Sequence, residues 1–275
     1  MTPGERDVLL VVDVQNDFIP GGALAVAGGH EVLPTINRLA RAFRHVILTQ
    51  DWHMPGHVSF ASTHSGRKPF ETTELPYGTQ VLWPDHCVQG TPGAELHEEL
   101  DIPHAQLVLR KGYRQHVDSY SAFCEADGKT STGLAGYLRD RGLEHVVLVG
   151  LATDFCVAWS AFDARRRGFH ATVVEDACRA IDTGGSLAKA WREMAAAGVR
   201  RIVAADVTLY FTRRGASPPF RILPPGWIAR AKPALEARSI RRAEPALEAE
   251  LVHIQSSASR RRRAAPSPSP VLATR

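Results

Sequence analysis

Nowhere in the 275 residues do ~18 apolar side chains follow one another, the length a membrane-spanning helix needs. The longest unbroken aliphatic run is Val8 to Val12. Glu5 and Asp7 interrupt any apolar targeting segment at the start, so the cytoplasm is the expected location and no membrane partner is expected. Cysteine is scarce: Cys87, Cys124, Cys156 and Cys178 stand 37, 32 and 22 positions apart. That spacing excludes both a disulfide-dense scaffold and the paired cysteines of a zinc ribbon, and it predicts four free thiols. No internal repeat is present, and 22 Gly with 18 Pro exclude neither a core nor a fold.

The formal net charge of +4 is unevenly placed. From Arg213 onward lie 13 of the 33 basic and 4 of the 29 acidic side chains, leaving 20 basic against 25 acidic before it. The part that folds is therefore mildly acidic, and the basic character belongs to a tail. That tail holds 9 of the 18 prolines, the Arg260 to Arg263 run and the Pro266 to Pro270 tract. Such a composition buries little apolar surface and predicts a largely disordered extension over 213–275, with a short helix expected around Pro233 to Val252. The expected domain is 1–212. Four consecutive arginines could contact phosphates, but without interleaved aromatics they read as a solvated run, so a nucleic-acid partner is not expected.

Aliphatic runs at Asp7 to Val14, His45 to Gln50, Gln106 to Lys111, His145 to Leu151, His170 to Val174 and Arg201 to Ala204 predict strands. Helices are predicted over 31–43, where Val32, Leu33, Ile36, Leu39, Ala40 and Phe43 recur at helical spacing, and over 132–141, 154–167 and 185–197. The last three run into Gly142, Gly168 and Gly198 as C-terminal stops. Strands apolar on both faces, alternating with helices, predict a mostly parallel sheet inside a three-layer α/β/α sandwich. Residues 52–105, rich in Pro, Gly, His and Thr, break the rhythm, with one short helix expected around Ala94 to Leu100. A connection that long is commonly functional.

Ligand sites of parallel sheets lie beyond the strand C-termini. The runs there deliver Asp13, Asp51 with His53, Lys111, and Cys156. Cys156, three residues after the expected N-cap Thr153, falls in a first helical turn, where a helix terminus and a nearby cation favour thiolate. Plain packing would account for a buried cysteine equally well. Asp13 ends a segment buried enough to need a partner, and Lys111 could supply one, as a structural pair or as base and cation. Asp51 and His53, two apart, share a side if extended. With His86 they make three O/N ligands of an open site suited to zinc, manganese or iron(II). His57 is a further ligand candidate, though an outer or solvent histidine fits it better. Phe18 and Trp83 could sandwich a flat ring, or simply pack.

Asp13-Val-Gln-Asn-Asp-Phe18, Asp51-Trp-His53, Trp83-Pro-Asp-His-Cys-Val-Gln-Gly-Thr91, Lys111-Gly112 and Gly150-Leu-Ala-Thr-Asp-Phe-Cys-Val157 occur in one order. Together they resemble the isochorismatase-like cysteine hydrolases, specifically their nicotinamidase/pyrazinamidase branch, over roughly residues 6–207. The resemblance implies a six-stranded parallel sheet and a catalytic trio at Asp13, Lys111 and Cys156. It also implies one divalent metal at Asp51, His53 and His86, no organic cofactor, and a cis peptide between Leu151 and Ala152. The implied reaction converts nicotinamide to nicotinate and ammonia, and pyrazinamide likewise, through a thioester within NAD salvage. Backbone amides of Ala152 and Cys156 would hold the oxyanion, and Phe18 and Trp83 would clamp the ring. A homo-oligomer is compatible with this. The rival within the superfamily is a hydrolase of a carbamoyl compound, biuret or isochorismate, whose members generally lack the Asp51, His53, His86 set.

Overall fold

The computed structural model describes residues 3–207. Six parallel strands form one sheet in the order β5-β2-β1-β6-β7-β8: β1 Asp7–Val12, β2 His45–Asp51, β5 Leu107–Lys111, β6 His145–Leu151, β7 His170–Arg179 and β8 Arg200–Ile202. A separate antiparallel hairpin, β3 Thr72–Leu75 with β4 Gly78–Val81, sits inside the long connection. The helices are α1 Leu33–Ala40, α2 Leu134–Asp140, α3 Ala158–Arg166 and α4 Ser186–Ala196.

Period-two alternation divides β1 between two cores. Leu9 and Val11 pack on one face with Leu33, Ile36 and Leu39, the apolar stripe of α1, and with Val32 just before it. Val8, Leu10 and Val12 pack on the other with Leu134, Leu138, Ala161, Phe162 and Met194 of α2, α3 and α4. Each such fully buried aliphatic side chain contributes about 1.5–3 kcal/mol, which is why the central strands carry no polar face. The three-layer arrangement is as the sequence predicts.

The glycine stops hold too. Gly142, Gly168 and Gly198 are left-handed (φ 65°, 95° and 76°), and the next amides, Leu143, Phe169 and Val199, each donate at 2.9 Å to the carbonyls of Leu138, Ala164 and Met194. That is the 6→1 bond of a Schellman motif.

Four expectations need correction. β1 stops at Val12 because Asp13 is left-handed, φ +48°, which turns the chain out of the sheet. β7 runs to Arg179 rather than Val174: after a register shift near Gly150 it continues beside Gly150 and Leu151. The helix expected around Ala94 to Leu100 is only a 3-10 turn at Pro92–Ala94, its segment being held instead by backbone bonds from Asn16 N to Glu95 O and His97 N to Val14 O. Thr153 is not an N-cap: Ala152 holds the extended cap conformation, and residues Thr153–Val157 form a π-helical turn ahead of α3. The helix expected around Pro233 to Val252 and the extension from 213 lie outside the described residues. Among the described residues no helix is long and apolar enough to cross a membrane.

Candidate active site

β1 is the strand from which the order runs outward in both directions, through β2 and β5 on one side and β6 to β8 on the other. The resulting switch point between β1 and β6 leaves a crevice at the C-terminal edge. Four adjacent strand ends feed it. Asp51 and Lys111 are register partners on β2 and β5, Val12 ahead of Asp13 pairs with Gly150, and β6 leads through the cis Leu151–Ala152 peptide into the turn that bears Cys156.

Lys111 is the hub. Its ammonium lies 2.8 Å from Asp13 Oδ2, donates at 2.5 Å to Asp51 Oδ1 and at 3.0 Å to the Ser119 carbonyl, and stands 3.5 Å from Cys156 Sγ. Burial opposes its charge, but Asp13 and Asp51 outweigh burial and hold it protonated well above the usual lysine range. Thr49 Oγ1 donates to Asp13 Oδ1 at 2.5 Å. Lys111 meets Oδ2 off the hydrogen-bond direction, so that oxygen keeps its acceptor capacity. Oxygens of Asp13 and Asp51 and the sulfur of Cys156 all lie within 4.8 Å of one another. Burial raises Asp13 against the opposing pull of Lys111, giving the carboxylate more appetite for a proton than an exposed aspartate.

The thiol is not a resting thiolate. Burial pushes Cys156 well above its ordinary value; Lys111 offsets part of this and Asp13 adds to it. The helix-terminus argument made from sequence is thus outweighed by desolvation. Cys87, Cys124 and Cys178 are also buried and free, and each is raised by burial.

Beside this trio, Asp51 Oδ2 faces His53 Nε2 at 3.7 Å and His86 Nε2 at 4.0 Å. Each imidazole has its Nδ1 on a backbone carbonyl: His53 on Gly112 at 2.9 Å, His86 on Pro84 at 2.8 Å. An Nδ1–H fixed in this way leaves the Nε2 lone pair free, the tautomer a metal ligand needs. Burial and the nearby His53 push His86 down to about 4, which leaves a neutral imidazole at ordinary pH. For Asp51 burial favours the acid, yet Lys111 and His53 hold it well below the usual carboxylate range. Donor types and tautomers suit a divalent cation. Burial opposes a charge on His53, but Asp51, and after it Asp118, outweigh burial and draw His53 toward its protonated form, and a bound cation would take that proton's place.

Gly112 is obligatory in this arrangement. At φ +65°, a Cβ there would fall 2.6 Å from His53 Cε1. His57 differs from the other two histidines: Nδ1 engages Ser59 Oγ at 2.8 Å and Nε2 donates to the Arg114 carbonyl at 3.0 Å, while its ring packs 4.3 Å from that of His53. It supports the triplet from behind.

Phe18, Trp83, Ala152 and Cys156 line one pocket with Asp51, His53 and His86, as the sequence places them. Sequence reading missed Asp118, Tyr120, Leu24 and Ile181 in the same wall, where the Phe155 ring meets that of Trp83 at 5.0 Å. It also missed two props. Gln15 clamps the Asp51 backbone from both sides, Nε2 to its carbonyl and Oε1 from its amide, each at 2.8 Å. Asp154 accepts from Ile181 N, Asp182 N and Ser186 Oγ at 3.1, 2.9 and 2.5 Å, tying the thiol-bearing turn to the pocket wall. Gln15 and Asp154 stand inside the quoted motifs; nothing in local sequence marks Tyr120 or Asp118.

A thiol held against a carboxylate base and an ammonium is the arrangement of a cysteine hydrolase. The chain belongs to the isochorismatase family, whose isochorismatase domain model matches residues 7–206. Among its relatives, the nicotinamidase of Acinetobacter baylyi is 59% identical over 207 residues, 75% of this chain and 97% of the relative. A solved nicotinamidase/pyrazinamidase of Acinetobacter baumanii is 58% identical with TM-score 0.74, covering 74% of this chain and 99% of its own. A structure from L. infantum in complex with nicotinate is 41% identical (TM-score 0.66, covering 74% and 96%). The pyrazinamidase of Pyrococcus horikoshii, solved with zinc, is 33% identical (TM-score 0.60, covering 72% and 99%).

Proposed function

We infer that this chain is a nicotinamidase: it hydrolyses nicotinamide to nicotinate and ammonia, and accepts pyrazinamide as a ring of the same shape. The observation that carries this is the position of Lys111 Nζ, within 2.5 to 3.5 Å of Asp51, Asp13 and Cys156, of which Asp51 and Cys156 line a pocket walled by Phe18, Trp83 and Phe155. The nicotinate bound by the L. infantum relative and the names of the Acinetobacter relatives support the substrate.

Asp13 takes the thiol proton through Oδ2 as Cys156 Sγ attacks the carboxamide carbon. Lys111 stabilises the growing thiolate and keeps Asp13 ionised between turns. The amides of Ala152 and Cys156 hold the oxyanion. Asp13 returns the proton to the departing nitrogen, ammonia leaves, and a thioester between Cys156 and the nicotinoyl group remains. Asp13 then draws a proton from water as its oxygen attacks the thioester carbonyl; the C–S bond breaks, Asp13 returns that proton to Cys156 Sγ, and the acid leaves as nicotinate after giving its proton to the released ammonia. Asp51, His53 and His86 would hold a divalent metal, zinc, manganese or iron, which when bound supplies a Lewis acid that grips the pyridine nitrogen or orients water near it. Its effect is placement of the ring, while Phe18 and Trp83 close on the faces. Zinc in the P. horikoshii relative supports this ligand set.

The test follows ammonia released from nicotinamide by the wild-type chain and by Cys156→Ala. Turnover only by the wild type is expected. No ammonia from the wild type overturns the activity, and full turnover by Cys156→Ala overturns the nucleophile.

A further inference from the structure

Of the polar side chains lining the pocket, Asp118 and Tyr120 have no part in the scheme above. The Tyr120 hydroxyl is already engaged, accepting from Trp83 Nε1 at 3.0 Å and Gln80 Nε2 at 2.9 Å. Asp118, 2% exposed, accepts from Ser119 N at Oδ1, 2.8 Å, and from Gln80 Nε2 at Oδ2, 2.7 Å. Both oxygens acting as acceptors is the pattern of an ionised carboxylate. Both donors are neutral, and among the described residues no lysine or arginine is paired with it.

A buried charge without a counter-charge is costly. The site holds three buried carboxylates, Asp13, Asp51 and Asp118, against one buried ammonium, Lys111, and one buried imidazole, His53, that Asp51 and Asp118 draw toward a proton. Glu125, also buried, faces Arg114 at 3.8 Å and stands outside this balance. A divalent cation on Asp51, His53 and His86 closes the deficit. A carboxylate oxygen of Asp118 lies within 4.8 Å of ring nitrogens of both His53 and His57, a span that one water bridges.

We propose that Asp118 is a positioning residue of the metal site, supplying the second negative charge that the ion neutralises and holding it through water that completes its shell. The proposal rests on the reading of Asp51, His53 and His86 as ligands. It assigns Asp118 a role in metal affinity, separate from chemistry at the thiol.

The full chain, stripped by a chelator and reloaded with zinc, is compared with Asp118→Asn and Asp118→Glu by chelator competition and thermal unfolding. Asp118→Asn is expected to weaken zinc about 10–100-fold, with Asp118→Glu staying within about threefold of wild type. The metal-free Asp118→Asn protein is expected to melt no lower than metal-free wild type, because an uncompensated buried charge has gone. A merely structural role predicts the reverse. Unchanged zinc affinity in Asp118→Asn, a metal-free form that melts lower or fails to fold, or a Glu variant as weak as Asn each overturns the proposal. Failure of the ligand reading looks different: wild type then takes up no zinc, and Asp51→Asn alters nothing.

Discussion

Lys111 donates to Asp51 Oδ1 at 2.5 Å while Oδ2 of the same carboxylate faces the two histidines, so Asp51 belongs at once to the thiol's trio and to the metal-type triplet. One buried cation thereby holds two buried carboxylates in register. Lys111→Met is expected to lower stability by about 3–5 kcal/mol, because it leaves Asp13 and Asp51 facing each other uncompensated. Urea unfolding monitored by Trp fluorescence checks this; a loss under about 1 kcal/mol would show that the cluster adds little beyond a surface pair.

Gly112→Ala is expected to displace His53, since the new Cβ would sit 2.6 Å from its ring at a backbone φ that side chains rarely adopt. About 1–3 kcal/mol of stability should go, together with most of the bound metal. Metal analysis of the purified variant at full wild-type occupancy would contradict the geometry.

Alkylation of Cys156 by iodoacetamide should rise about tenfold per pH unit from pH 7 to 9 without levelling off. The sign follows from burial: a folded thiol pKa above the ordinary value keeps the thiolate fraction small and still growing throughout that window. Cys178, pushed up to about 12 by burial, should stay unmodified. Peptide mass spectrometry at each pH reads both, and a plateau near pH 7 would mean a preformed thiolate.

Metal removal should act on substrate placement. After chelation, the fall in kcat/KM is expected to reside mainly in KM, at least about tenfold for a lost ligand contact of about 1.5 kcal/mol or more. Steady-state kinetics with nicotinamide settle it; a fall confined to kcat would place the metal in the chemical step.

Local pattern made much of this readable. Val8 to Val12, His45 to Gln50 and His145 to Leu151 could only be buried strands, and their ends named Asp13, Asp51 and the approach to Cys156 directly. Asp154 and Gln15 stood in the quoted motifs, yet their partners, Ile181 to Ser186 and the Asp51 backbone, are remote in sequence. Thr153 misled because a capping residue must be extended, and here the chain stays extended through Ala152 before it turns.

The order of residues alone determined the sheet, the helix stops and which polar side chains stand at the strand ends, because periodicity, glycine and strand ends are local properties. Only the tertiary structure decided their ionisation and their company. Whether Cys156 rests as a thiol, which nitrogen of His53 and His86 is free, and that Asp118 stands beside them with no lysine or arginine all depend on desolvation and on charges brought from distant segments. Those interactions exist only once β5, β2, β1 and β6 lie side by side.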